Sequence, residues 1–337
     1  MAARARLSDI AELAGVSAAT VSRVLNGKGL VAEQTRRAVL TALDQLGYER
    51  PERLRLRHAG LIGLIVPELS NPVFPAFAQK LESYLSDAGY TPLLCTQSPG
   101  GVSEQQYVDL LVDRSVDGII FVSGLHADPT ANLSHVERLL ALNIPFVVVN
   151  GTNPALPVPS FAVDERHAMD MAVRHLYSLG HRHIGLALGQ GRYFPSQLKL
   201  AGYRAAMASY PDTAAPVVAA SLYTQEGGRA AAAQLLSDGC TAIVAASDLM
   251  ALGAIANIRS RGLTVPTDVS VIGFDDSPLM AHTNPPLTTL RQPVDSMSRS
   301  VVTTLLNMVA GNNPPPTEIL FEPELIVRGS TGAVRKQ

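Results

Sequence analysis

Three things are scarce in this 337-residue chain, and each scarcity closes off a class of protein. Cysteine occurs only twice, as Cys95 in "PLLCTQ" and Cys240 in "GCTAIVA". Both sit in apolar surroundings far apart in sequence, which fits small buried hydrophobes of a reducing compartment and neither a disulfide nor a metal pair. No uninterrupted apolar run approaches the roughly 18 residues of a membrane span, and the N-terminus has no apolar segment of a secretory signal, so a cytoplasmic protein without a membrane partner is expected. Catalytic signatures are missing too. There is no nucleophile elbow, zinc spacing or phosphate loop, and "GQGRYF" at 189–194 lacks the third glycine and the strand-to-helix setting of a dinucleotide loop. His181 and His183 in "GHRHIG" stand two apart with no third metal ligand in view. No enzyme activity, cofactor or metal is therefore expected.

Net charge is also small, −2 over the whole chain, but its distribution is uneven. Residues 1–58 hold ten Lys and Arg against six Asp and Glu, which leaves the remainder acidic. A small basic head on an acidic body suits a protein that grips a polyanion with one end.

What is present is concentrated near the start, in "LSDIAELAGVSAATVSRVLNGKG" at 7–29. Ser8 is a candidate N-cap, with Asp9 in the first turn where the helix dipole favours a carboxylate. Gly15 then offers the left-handed conformation that follows a helix end, Val16 plugs the turn, and Ser17 caps a second helix. Val21, Val24 and Leu25 recur at i, i+3, i+4 and face Ile10, Leu13, Ala11 and Ala14 of the first helix. The opposite face carries Ala18, Ala19, Ser22, Arg23 and Asn26. Two short helices joined by a glycine turn match the helix-turn-helix pattern, whose second helix enters the DNA major groove.

The stretch "AELAGVSAATVSRVLNGKG", continued by "VAEQTRRAVLTALDQLGYERP", resembles the DNA-reading segment of the LacI/GalR family of bacterial transcriptional repressors almost residue for residue. The resemblance implies an N-terminal all-α helix-turn-helix head at 1–48, a hinge or linker at 49–60, and a periplasmic-binding-protein-like α/β core at 61–337. That core would have two doubly wound parallel-sheet lobes, at about 61–160 with 291–322 and about 161–290 with 323–337. It also implies that Leu7, Ser17, Thr20, Ser22, Asn26, Thr35 and Tyr48 hold phosphates or the groove wall, contacts that position without specifying. Arg23 becomes the base reader, since a guanidinium bonds both O6 and N7 of guanine. Ala18 and Ala19, at the positions that set operator choice, offer only methyl contact or room. In the arginine-rich linker, Leu54 and Leu56 are the candidates for a leucine wedge in the minor groove, although the stretch is shorter than the family's usual hinge and lacks its "ALA" pattern.

Beyond the linker, continuous apolar runs alternate with amphipathic helices, the pattern of parallel sheets covered on both faces. Strands are expected at 61–66, 91–95, 118–122 and 145–149, with helices including 74–88 and 132–142. The third helix of the head is placed at 33–46, with Val39, Leu40, Leu43 and Leu46 inward. A second set begins near Phe161: helix 165–179, strand 183–188, helix 197–209, a short strand before Tyr223, helix 225–237, strand 242–246, helix 249–261 and strand 269–274. Ligands of such sheets bind beyond the carboxyl ends of the strands. The resemblance implies three crossings between lobes, one of them at 285–293, and puts Phe74, Asn150, Tyr223, Ser247 and Asp275 in the effector cleft. Asp248 is read as a helix cap. Gln197 is placed where many relatives have a ligand-clamping arginine, and Arg192, Tyr193 and Phe194 are the neighbours in the same loop that compensate for its absence.

The resulting expectation is a homodimer that binds double-stranded operator DNA under control of a sugar-like effector. The alternatives are a nucleobase-type corepressor and a cytosolic small-molecule binding protein that no longer uses its head. A sugar-active enzyme is disfavoured, because Asp275 and Asp276 are adjacent in sequence and make a poor acid-base pair.

Overall fold

The computed structural model describes residues 7–26, 31–46, 60–97 and 100–335, without the side chains of residues 33 and 44. They belong to two compact units, one ending at Ala59 and the other beginning at Gly60.

In the first unit, helices α1 (Leu7–Leu13), α2 (Ala18–Asn26) and α3 (Glu33–Gln45) close on one small core. Ile10, Val21, Val24, Leu25, Val39, Ala42 and Leu43 are buried together there. Gly15 has φ +64°, which an L side chain adopts only with strain, so this position sets the turn between α1 and α2. Ser17 Oγ accepts from the Thr20 amide at 3.2 Å, the N-cap bond that starts α2. Ser8, by contrast, lies inside α1 and donates to Asp9 Oδ1 at 3.1 Å, so it does not cap that helix. Leu46 lies past the end of α3 and is 37% exposed; Ala42 takes the inward place, completing the i, i+3, i+4 set with Val39 and Leu43.

The second unit holds two six-stranded sheets among its described residues. The first lobe runs β1 (Gly60–Val66), α4 (Val73–Asp87), β2 (Tyr90–Thr96), α5 (Glu104–Asp113), β3 (Gly118–Val122), α6 (Ser134–Ala141), β4 (Phe146–Val149) and β5 (Ser160–Val163). The second runs α7 (Glu165–Ser178), β6 (Ile184–Leu188), α8 (Phe194–Ser209), β7 (Val217–Ala220), α9 (Gln225–Ser237), β8 (Ala242–Ala245), α10 (Asp248–Ser260), β9 (Ser270–Asp275) and β10 (Thr288–Arg291). The chain then returns to the first lobe for α11 (Val294–Val309) and β11 (Glu318–Phe321), and ends in the second with β12 (Glu324–Ile326).

Strand order is β11-β5-β4-β3-β1-β2 in the first sheet, all parallel, and β12-β10-β9-β8-β6-β7 in the second, where only β12 is antiparallel. Phe161 sits in β5, paired with Val149 and Ile319, so the second lobe begins after Val163 and not at residue 161. Short strands of continuous apolar residues are buried along their whole length, because helices cover both faces. In the first lobe α4 and α11 supply Phe77, Leu81, Val301 and Leu305 to one face, while α5 and α6 supply Val108, Leu111, Val136 and Leu139 to the other. His181 bonds Thr241 Oγ1, Ser270 Oγ and the Gly332 carbonyl, tying the C-terminal segment to the second sheet. Its ring is thereby occupied as a structural tie. No helix among the described residues is long and apolar enough to cross a membrane.

Candidate functional site

The exposed face of α2 presents Ala18, Ala19, Arg23 and Asn26, with Thr20 and Ser22 half-buried beside them. Val21, Val24 and Leu25 occupy the buried face, so the period of 3.6 that fills the core also leaves these polar and small residues outward. Ser17 Oγ and Thr20 Oγ1 bond at 2.9 Å at the helix start. Asn26 Nδ2 donates back to the Ser22 carbonyl at 2.8 Å and to Ser22 Oγ at 3.1 Å, so this amide stabilises its own helix. Leu7 is exposed on α1, and Thr35 is half-buried on α3. Tyr48, Leu54 and Leu56, the remaining expected contacts, lie outside the described residues.

In the second unit the carboxyl ends of the parallel strands from both lobes open on one cleft of about 550 Å³. The first lobe contributes Pro67, Glu68 and Asn71 from the turn after β1, Phe74 from the start of α4, Ser123 after β3, and Asn150 after β4. The second contributes Glu165, Gln190, Tyr193, Lys199, Tyr223, Ser247, Phe274, Asp275 and Gln292. Three of these strand-end residues have left-handed backbones: Ser123 at φ +51°, Asn150 at +59° and Asp275 at +118°. Non-glycine residues hold such angles only where surrounding structure over-determines them, and they cluster at ligand sites. At Gly189, just past β6, a Cβ would meet the Tyr223 ring at 1.8 Å, so glycine is what lets that ring lie against the strand end. The Tyr223 hydroxyl pairs with Ser196 Oγ at 2.8 Å, and burial pushes its pKa up.

The floor of the cleft on the second-lobe side is a buried charge cluster. Lys199 Nζ donates to Glu165 Oε2 at 2.5 Å and lies 3.7 Å from the centre of the Phe274 ring. Both partners are less than a tenth exposed. Burial raises the Glu165 pKa against the pull of the Lys199 ammonium. Asp275 Oδ1 accepts from Gln292 Nε2 at 2.6 Å, while Asp275 Oδ2 and Gln292 Oε1 have no protein partner. Burial, with the Asp248 carboxylate nearby, holds the Asp275 pKa well above the ordinary range. Asp248 is itself pushed up to about 6 by burial.

The helix cap at α10 is Ser247, whose Oγ accepts from the Met250 amide at 3.3 Å, and not Asp248. The Asp248 carboxylate instead accepts from the Ser277 amide at 2.8 Å and from Thr289 Oγ1 at 2.6 Å, binding the segment after β9 to β10.

Two residues expected to touch an effector do not line the cleft. Helix α8 begins at Phe194, three residues earlier than periodicity indicates, and Gln197 is on its outer face, donating to the Arg192 carbonyl at 3.1 Å. The buried cation of this helix is Lys199. Arg192 instead reaches across the cleft mouth to Asp128 of the first lobe, Nε to Oδ2 at 2.9 Å. Asp128 follows a 3-10 turn, Leu125–Ala127, whose Leu125 amide donates to Glu104 Oε2 at 2.9 Å. Glu104 Oε1 in turn pairs with His135 Nε2 at 2.7 Å, both side chains buried.

Sequence reasoning missed Glu165, Lys199 and Gln292. Asp164-Glu165 reads as an ordinary N-cap with a first-turn acid, and Gln292 falls in a crossing between lobes, where only the fold shows what it faces. Among the described residues no group of three or more His, Cys, Asp or Glu is placed to hold a metal.

Residues 6–51 match the model of bacterial regulatory proteins, lacI family, and residues 173–331 that of a periplasmic binding protein-like domain. The chain is 55% identical over 333 residues, 97% of each chain, to the HTH-type transcriptional regulator MalR of Streptomyces coelicolor. Among solved structures it is similar to a transcriptional regulator CelR–cellobiose complex, at 30% identity and TM-score 0.71 over 97% of this chain and all of that one. It is similar too to a lac repressor dimer bound to operator and the anti-inducer ONPF, at 27% identity and TM-score 0.70 over 98% of this chain and all of that one. With the head and the C-terminal part of the core each matched by a family model, and 55% identity over 97% of the chain, this chain belongs to the lacI family of bacterial regulatory proteins.

Proposed function

We propose that this protein is a cytoplasmic transcriptional repressor that binds a palindromic operator as a homodimer and answers to a small sugar-like effector held between its two lobes. The observation that carries the reading is the cleft itself, which strand-end side chains of both lobes line together with the aromatic residues Phe74, Tyr193, Tyr223 and Phe274. An apolar wall with a few placed polar groups is the form a small-molecule site takes, and a relative 30% identical is solved with cellobiose. On this reading Phe74, Asn150, Tyr223, Ser247 and Asp275 contact the effector together with Lys199 and Gln292. A ligand bonded to both lobes favours one closure angle, and it shifts the DNA-competent population by its differential affinity for the two states. The linker joins directly to β1, so lobe motion within a dimer changes half-site spacing.

In the head, Arg23 reads a base while Leu7, Ser17, Thr20, Ser22 and Thr35 position the helix on the backbone. Ala18 and Ala19 leave room or meet a thymine methyl. Selection of the full-length protein against random duplexes is expected to recover two inverted half-sites about one helical turn apart. Arg23→Ala is expected to weaken the recovered site by about 1 to 3 kcal/mol and random DNA by less. Equal losses on both would assign Arg23 to phosphate. A thermal-shift screen against sugars, sugar phosphates and purines tests the effector, since a ligand of the folded state raises the melting temperature. A shift with purines alone would replace the sugar reading with the corepressor one.

A further inference from the structure

The cleft wall carries four ionisable carboxyl or ammonium side chains, Glu68, Glu165, Asp275 and Lys199, so three acids face one base. That base is already engaged. Lys199 Nζ is bonded to Glu165 at 2.5 Å and sits against the face of the Phe274 ring, and both members of the pair are buried. Arg192, the nearby cation at the mouth, is committed to Asp128. A phosphate or carboxylate brought onto this wall would meet a neutralised ammonium and, next to it, the carboxyl of Asp275, whose Oδ1 is bonded to Gln292. An anion brought into a desolvated site with no free cation to pair it is strongly disfavoured, and selectivity is often built from such uncompensated charge. Hydroxyl groups, in contrast, can donate to Asp275 Oδ2 and Gln292 Oε1, the two buried acceptors that no protein group satisfies.

We infer that the cleft selects an effector without phosphate or carboxylate groups, and that Glu165 enforces this by neutralising Lys199. The inference rests on the sugar-effector reading and assigns a specificity role within it.

Calorimetry on the full-length protein with ribose, glucose, maltose and cellobiose, each against its own monophosphate, tests it. At least one neutral sugar is expected to bind, with its phosphate weaker by roughly tenfold or more. In Glu165→Gln the freed ammonium is expected to narrow that ratio by roughly tenfold, chiefly through a gain for the phosphate. Because a buried substitution can impair folding, Gln190→Lys, which adds a cation at a half-buried cleft position without touching the pair, is expected to narrow the ratio as well. A phosphate that binds wild-type protein as tightly as its parent sugar overturns the inference and leaves the sugar reading standing. Binding by none of the eight compounds overturns the sugar reading itself. An unchanged ratio in folded Glu165→Gln overturns the role of Glu165.

Discussion

The two walls of the cleft are built by one architecture used twice, yet they differ in charge. The first-lobe wall holds amides and hydroxyls on strand-end turns and one phenylalanine at the start of α4, with Glu68 its one ionisable member among the described lining residues. The second-lobe wall buries Glu165, Lys199 and Asp275, with Asp248 just behind. The first lobe also buries an acid with a basic partner, Glu104 with His135, but spends the pair behind the 3-10 turn. The lesson is that a doubly wound sheet dictates where a site lies, while the residues that follow each strand decide whether that site is neutral or charged.

The largest test of this contrast removes the cation. Lys199→Met leaves Glu165 buried without its partner and is expected to lower stability by about 3 to 5 kcal/mol, read from denaturant unfolding. A loss below about 1 kcal/mol would mean that Glu165 takes up a proton or reaches water, and that the pair is not a buried charge.

Next is Asp275→Asn. It is expected to weaken effector binding by roughly 10²-fold, because a buried carboxyl oxygen that no protein group satisfies is lost as a ligand acceptor from a desolvated site. The same variant has a pH signature. A carboxyl whose pKa is higher folded than unfolded holds an extra proton in the folded state, so its stability contribution is present at low pH and lost as pH rises through the folded value. For Asp248 that window runs from 3.8 to about 6, and Asp275, also raised, is lost in the same direction. Removing the Asp275 carboxyl is therefore expected to give a gain in stability relative to wild type that grows as pH rises above its ordinary value of 3.8. Parallel melting curves from pH 4 to 7 would show that the two acids do not share this stress.

On the neutral wall the effect is smaller. Asn150→Gly keeps the left-handed backbone while deleting the amide, so stability is expected to change by less than about 0.5 kcal/mol and effector affinity by roughly fivefold. A large stability loss would give the amide a structural role in place of a ligand one. Smallest is Arg192→Ala at the mouth. Arg192 is about half exposed, and opening its pair with Asp128 is expected to change stability by less than about 1 kcal/mol, with a modest, salt-dependent change in effector affinity. An effect that persists at high salt would mark the pair as more than a surface contact.

Local pattern carried the head and most of the core. Glycine at 15, the Ser17 cap and the i, i+3, i+4 spacing of Val21, Val24 and Leu25 place two helices and their outward face with no long-range information, since each depends on neighbours within two turns. Continuous apolar runs such as "GIIFV" and "AIVA" also read as buried strands from their composition alone, because helices on both faces of a parallel sheet leave no position for a polar side chain.

What required the tertiary structure is what depends on partners distant in sequence. Phe161 belongs to the first sheet because β5 pairs with β4 and β11, and β11 lies about 160 residues further along. Gln197 and Lys199 are two residues apart on one helix, hence about 200° around it, so an error of two positions exchanges solvent for the cleft floor. Whether Lys199 is a free cation or a neutralised one depends on Glu165, brought to it by the packing of α7 on α8. Sequence spacing specifies faces, but the electrostatics of a buried site come from charges that only folding brings together.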